Sequence, residues 1–315
     1  MTISYGLVRY MLEASMYSKY ARTLGASTTI LFGLLLFATA QSEERKLCLW
    51  SFEGEESQIY MLGSIHAMRK SMYPLASPIV RAFNQSDKVV FEVDLTRLNA
   101  PEMNKVMQEK GMYERPDTIE KDLQSETFTL LKDYLKANQV PLAQVERMKP
   151  WYLMLTIGQR ELSRLGFDAE LGIDRYLQQL ALHEGKEILQ LETFGEQINI
   201  LSSDSIELQE LSLRVSLEER QNVAQDLNEL LAAWEQGNAD KMLDLTLQST
   251  LRYPELTKQM DNLIDKRNVR MAQRIRDYAD TSNTYLIVVG ALHMGGKNGI
   301  IRLLQDDYQI TQLTY

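Results

Sequence analysis

The sequence predicts an α/β fold of mixed α+β character, with a central mixed β-sheet flanked by helices and a helical cover region. Three observations predict it. Short strand-like runs recur at 47–52, 58–62, 88–95, 186–193 and 285–289, the last of them apolar and rich in β-branched residues. Between them, apolar residues return every three or four positions, which is the helical period. Two of the strand-like runs end alike: Gly63-Ser64-Ile65-His66 and Gly290-Ala291-Leu292-His293 each place a histidine three residues after a glycine, in a chain with three histidines.

Taken in order, Leu47 to Phe52 and Gln58 to Leu62 read as two strands around a turn, leading into the first Gly-x-x-His. Pro78 opens a short helix to about Asn84, since proline fits a first helical turn whose amides are unpaired. Lys88 to Leu95 alternates, with Val90, Glu92 and Asp94 on one face and Val89, Phe91, Val93 and Leu95 on the other. Residues 101–166 are helical in pattern, with Leu123, Phe128, Leu131, Leu135, Trp151, Leu155, Leu162 and Leu165 as apolar positions. A helix from Gly172-Ile173-Asp174 to about Gly185 leads to a short strand ending on Glu192. Residues 196–253 are acidic and helical and read as cover over the sheet, with Leu208, Leu211, Leu227, Leu230 and Leu231 expected inside. In the helix from Glu255 to Tyr278, the apolar stripe is broken at Arg267-Asn268, so both fall on the inward face, where a charge needs a partner. Tyr308 to Thr314 reads as an edge strand.

The first forty residues differ from the rest. Arg9, Lys19 and Arg22 precede an uncharged stretch, Ala26 to Ala40, that closes on Ala38-Thr39-Ala40, a small-x-small cleavage pattern. The apolar run is about 15 residues, short of the roughly 20 that a spanning helix needs. Residues 1–40 therefore read as a secretory signal peptide and 41–315 as a single domain, exported to the periplasm or secreted, with membrane contact only through the signal segment and anchoring if it is not cleaved. The single cysteine, Cys48, reads as a partly buried small hydrophobe. Removing residues 1–40 takes away three basic groups and one acid, moving the net charge from −9 to −11. No basic cluster with interleaved aromatics is present, so nucleic acid is excluded as a partner and a peptide or small-molecule substrate is expected.

Four strands thus deliver a polar side chain at one end of the sheet: His66, Glu92, Glu192 and His293. Sites in open sheets form beyond the carboxyl ends of strands. Two imidazoles and a carboxylate make a donor set suited to a divalent ion with open positions, whose bound water would be the nucleophile. His183, in Leu182-His183-Glu184-Gly185, sits at a helix C-terminus, where an exposed imidazole suits the dipole.

The ordered set Tyr60 to His66 with Tyr73-Pro74-Leu75, then Phe91 to Leu95, Gly172-Ile173-Asp174, Leu191-Glu192-Thr193 with Glu196-Gln197, Arg267-Asn268, and Val289 to Gly296 resembles the TraB/GumN family, related to the Tiki metalloproteases. The resemblance spans about residues 47–314. It implies a metal-dependent hydrolase fold, with peptide-bond hydrolysis helped by Mn or Co ions in Tiki-like members. Carried over, the family's site falls on His66, Glu92, Arg267-Asn268 and His293.

The expected function is an exported metal-dependent hydrolase, peptidase-like, with Mn, Co or Zn held by His66, His293 and Glu92. Glu92 would be ligand or general base, and Arg267 would stabilise developing oxyanion charge or hold Glu92 ionised. Asn268, Glu192, Asp174 and Tyr73 would bind substrate or support those groups. The alternatives are a His/Glu hydrolase without a metal, which needs only an imidazole and a carboxylate to activate water, and a non-catalytic periplasmic protein whose histidines hold haem or another ligand. The resemblance extends distantly to erythromycin-esterase and haem-binding ChaN-like proteins, which implies that the fold hosts other functions.

Overall fold

The computed structural model describes residues 44–315. The expected signal peptide lies outside the described residues. Six strands form one mixed sheet: β1 (Lys46–Glu53), β2 (Gln58–Ser64), β3 (Lys88–Phe91), β4 (Glu187–Gln190), β5 (Thr284–Gly290) and β6 (Thr311–Thr314), in the order β4-β3-β5-β2-β1-β6. The four strands β4, β3, β5 and β2 are mutually parallel, and β1 and β6 continue the sheet antiparallel. Parallel strands require crossovers, and helices supply them: α1 (Ser77–Gln85), α2 (Ala100–Gly111), α3 (Ser125–Ala137), α4 (Pro150–Arg164), α5 (Ile173–Glu184), α6 (Phe194–Ser202), α7 (Ile206–Glu219), α8 (Val223–Glu235) and α9 (Ala239–Arg252). One rod then runs through α10 (Thr257–Met260), a π-helical turn (Asp261–Asp265) and α11 (Lys266–Ala279), and α12 (Ile300–Leu304) follows β5.

Both faces of the central strands are covered, so they are apolar throughout and alternate residue by residue between two cores. Met61, Val90, Ile287 and Val289 pack with Met271, Ala272 and Ile275 of α11. Leu62, Val89, Phe91, Leu286 and Val288 face the other way, onto Ile79 and Phe83 of α1 and Ile173 and Leu177 of α5. A third core stands away from the sheet, where Leu131 and Leu135 of α3, Leu153 and Ile157 of α4 and Leu213 and Leu217 of α7 meet. Cys48 is buried with its thiol against the Trp234 carbonyl, and burial pushes its pKa up to about 12. His183 is exposed near the C-terminus of α5.

Several sequence expectations need correction. Leu155 is exposed, and the buried side of α4 is Trp151, Leu153 and Ile157. In the cover region only Leu231 of the five expected residues is fully buried, whereas Leu213 and Leu217 carry the packing of α7. The reason is that α7 also buries Gln209, Glu210 and Ser212, so its inward face is not an apolar stripe. Strand β3 ends at Phe91 rather than at Leu95. Beyond it the chain leaves the strand path, and side-chain amides take over from the ladder: Gln178 donates to Val93 O and accepts from Leu95 N, and Gln190 accepts from Asp94 N. The edge strand is likewise shorter than read, four residues against β1.

At Gly172 the chain passes so close to the loop after β2 that a Cβ would stand 2.3 Å from the His66 carbonyl oxygen. Gly172→Ala forces these two backbones apart and is expected to cost about 1–3 kcal/mol, the usual penalty of overpacking. A urea denaturation midpoint equal to that of the parent protein would contradict this close approach.

Candidate active site

The parallel strands end together, and this sets the site. Ser64 of β2 stands opposite Gly290 of β5, so the two Gly-x-x-His turns start side by side. The pairing of β3 with β4 continues past the strands, with Leu191 N donating to Phe91 O and Glu192 N to Glu92 O, both at 2.8 Å. Glu92 and Glu192 are therefore held as neighbours. Opposite them α11 brings Arg267 and Asn268 onto its buried face beside Met271. The π-helical turn immediately precedes them, and Arg267 Nη1 donates back to the Leu263 carbonyl in that turn at 3.1 Å.

Arg267 is the centre of the buried part. Its Nε donates to both oxygens of Glu192, at 3.2 and 2.9 Å, and its Nη2 donates to Glu92 Oε2 at 2.5 Å with Glu192 Oε2 2.8 Å away. Its Nη1 also meets His293 Nε2 at 3.1 Å. All five N–H groups thus have an acceptor in reach, and none is left to meet an oxyanion. Arg267 is thereby the direct counter-charge of Glu92. Burial works against the charge on Glu92, yet its carboxyl is held down at about 2 by His293, His66 and Arg267 and by the Gly290 N–H, which donates to Oε1 at 2.7 Å. His293 is itself neutral near pH 7, so there the work falls to Arg267, His66 and Gly290. Gln197 of α6 donates a further bond to Oε2 at 3.0 Å.

The two histidines differ in environment. His293 is 4% exposed, and burial lowers its pKa to about 4. Its Nδ1 faces Asn268 Oδ1 at 2.6 Å, and Asn268 in turn donates to the Asn298 carbonyl. With Arg267 donating to Nε2, the ring is fixed as the neutral Nδ1–H tautomer. The ring of His66 is 68% exposed, and its Nδ1 donates to Asp174 Oδ2 at 2.9 Å, while Ser64 donates to the other oxygen of Asp174 at 2.7 Å. The Asp174 carboxylate pushes the imidazole up to about 9. Among the described residues nothing pairs with His66 Nε2. It opens into a cleft of about 700 Å³ together with Glu92, Asp174, Gln197 and Arg267.

His66, Glu92, Glu192, Asp174, Arg267, Asn268 and His293 are thus brought into one constellation. Tyr73 is not in it: its hydroxyl donates to the Leu171 carbonyl and its ring packs on Tyr176, which supports the turn into α5. Asp174 and Glu192, read as supporting residues, are the direct ion-pair partners of His66 and Arg267. Ser64, Gln197 and the Gly290 amide were missed as contributors. Ser64 lies inside the first motif and Gln197 follows the Thr193/Glu196 capping box that starts α6. The cover helices α7 to α9 do not line the cleft, which is bordered by α2 and α6 through Met103, Ile200 and Leu201.

A divalent ion shared by both histidines needs their lone pairs to converge. His66 Nε2 and Glu92 Oε1 do approach, lying 3.1 and 3.2 Å from the position a Cβ on Gly290 would take. His293 Nε2 instead faces the Arg267 guanidinium. Among the described residues no group of three or more His, Cys, Asp or Glu side chains is arranged to hold an ion. In this arrangement the His293 Nε2 lone pair accepts from Arg267, with Glu92 Oε1 4.0 Å away.

Two outcomes follow from this electrostatic arrangement. Arg267→Met leaves Glu92 and Glu192 buried without their main counter-charge and is expected to cost about 3–5 kcal/mol by urea denaturation; a loss below about 1 kcal/mol would show that the guanidinium is dispensable. The histidines also predict a pH dependence of stability. His66, with its pKa raised, contributes fully below the ordinary value of about 6.5, and the contribution is lost as pH rises through about 9. His293, with its pKa lowered, contributes fully above about 6.5, and the contribution is lost as pH falls towards about 4. The urea midpoint should decline on both sides of that value, and His66→Gln should remove the alkaline decline alone. A flat alkaline limb in the parent protein would contradict the His66–Asp174 pairing.

The family model of the TraB/PrgY/gumN family matches residues 48–312. The uncharacterised protein YbaP of Escherichia coli K12 is 23% identical over 249 residues, covering 78% of this chain and 87% of that protein, and YbaP of Shigella flexneri matches to the same extent. No solved structure matches the chain. The matched span takes in both Gly-x-x-His turns, the Glu92 and Glu192 strand ends and the Arg267 helix, and on this ground the chain belongs to the TraB/PrgY/gumN family.

Proposed function

We propose that the chain is a hydrolase of amide or ester bonds in which His66, oriented by Asp174, activates water in the cleft. The observation that carries the reading is the contrast in accessibility. Glu92, Arg267 and His293 are buried and bonded on their polar atoms, whereas His66 Nε2 has no partner among the described residues, borders the cleft and has a carboxylate on its other nitrogen. An imidazole so placed takes a proton from water as the oxygen attacks the carbonyl carbon, and returns it to the departing nitrogen or oxygen as the scissile bond breaks. Asp174 accepts from Nδ1–H throughout and stabilises the imidazolium that forms. Glu92, with its carboxyl held at about 2, is the weaker base of the two and fixes negative charge beside His66, which becomes the free base as pH rises through about 9.

The reading fixes a pH profile. The free base is the neutral form of His66, so kcat/KM on an activated ester or anilide rises about tenfold per pH unit and levels off above about 9. Asp174→Asn lowers the plateau and moves the limb towards the ordinary histidine value of about 6.5. His66→Ala reduces kcat/KM roughly 10²–10⁴-fold. A profile unaffected by either substitution would sink the proposal.

The metal-dependent reading, with the protein exported as a peptidase, makes a different forecast for the same assay. There an ion would be held by His66 Nε2 and Glu92 Oε1, and His293 would join only after Arg267 moved away. Activity lost to a chelator and regained with Mn, Co or Zn would favour it over the His66–Asp174 base.

A further inference from the structure

The lining of the cleft is mixed. Phe91, Val93, Leu98, Met103, Ile200 and Leu263 give it apolar surface, while His66, Glu170, Asp174 and Arg175 bring charge to it. Arg175 follows Asp174 in the first turn of α5, so the group that orients His66 and this cation share one rigid support. Its Nε donates to Glu170 Oε2 at 3.2 Å, and among the described residues Nη1 and Nη2 have no partner. Arg267, by contrast, has all its donors engaged.

The Arg175–Glu170 pair is only partly withdrawn from water, with the side chains 34% and 65% exposed, so it contributes little to stability and holds the guanidinium loosely. An incoming carboxylate can take Nη1 and Nη2 in a two-pronged contact without breaking a buried network. A chain of net charge −9 repels anions at long range, so an anionic group that enters its cleft needs a local cation to stay there.

We infer that Arg175 sets substrate specificity by holding a free carboxylate on the leaving group of the hydrolysed bond. The substrate class is an amide or ester with an apolar acyl part seated on the apolar lining of the cleft, its scissile carbonyl at His66 and its carboxylate on Arg175. The inference rests on the hydrolase reading above for the position of the scissile bond, but the carboxylate contact is a matter of binding alone. Arg175 is a specificity residue here, not a proton-transfer group.

The test is calorimetric binding to the His66→Ala protein, which cannot turn over substrate by the proposed route and also lacks the neighbouring imidazolium. Two matched probe pairs are used: N-octanoylglycine against N-octanoylglycinamide, and acetyl-leucyl-leucyl-glycine against its C-terminal amide. The expected result is that in at least one pair the acid binds roughly tenfold more tightly than the amide, the size of a charge-assisted hydrogen bond. The pair that shows the difference tells whether the acyl part is a fatty chain or a peptide. Adding Arg175→Ala, a partly exposed position whose folding is checked by thermal melting, should bring acid and amide to equal affinity. Equal binding of acid and amide in both pairs, no binding of either, or a preference that survives Arg175→Ala would each overturn the inference. Turnover plays no part in this readout, so failure of the hydrolase reading and failure of the carboxylate contact are seen separately.

Discussion

The structure of the site depends on one buried guanidinium. Two carboxylates, Glu92 and Glu192, are delivered side by side by strands β3 and β4 into a region where both are at most 8% exposed. Two such charges without a partner would not stay ionised. Arg267 meets both and reaches His293 with its remaining edge, and Arg270, one turn further along α11, adds a bond to Glu192 at 3.2 Å. Arg267 can reach all three because the π-helical turn before it sets the rotation of α11 while the stripe of Met271, Ala272 and Ile275 anchors that helix to the sheet. The fold and the site therefore share one element.

This arrangement divides the polar groups into two classes. The inner class, Glu92, Glu192, Arg267, Asn268 and His293, is hydrogen-bonded among its own members, to the adjacent backbone and to Gln197 and Arg270, and resists change for that reason. The outer class, His66 with Asp174 behind it and Arg175 beside it, keeps open valences towards the cleft. Among the described residues of the site, it is this outer class that is left available to a molecule entering the cleft. The symmetry of the two Gly-x-x-His turns is one of backbone, since the adjacent strands β2 and β5 end in register. It does not extend to chemistry: one imidazole is a buried acceptor locked by an arginine, the other an accessible base on a carboxylate.

Much of this was legible in the sequence, for physical reasons that can be named. The central strands declared themselves because parallel strands covered on both faces are continuously apolar, as in Tyr285 to Val289. Arg267 and Asn268 stood out because a polar pair interrupting an apolar stripe at helical spacing must face inward. The buried polar partners were less visible. Asp174 sits in the first turn of an ordinary amphipathic helix, where an acid is expected for the dipole alone, so nothing local distinguishes it from a cap. Which carboxylate meets which cation depends on contacts between residues 75 to 198 positions apart in the chain, as for Arg267 with Glu192 and Gly290 with Glu92. Neither periodicity nor spacing encodes those. The face of α7 was misjudged because it buries Gln209, Glu210 and Ser212 together with Leu213 and Leu217.

The two histidines are different chemical species, a difference that nitrogen-15 NMR of the imidazoles across pH 4 to 10 measures directly. The His66 resonances should titrate near 9, and His293 should remain the neutral Nδ1–H tautomer until the pH falls to about 4. Both rings titrating together near the ordinary value of about 6.5 would contradict it.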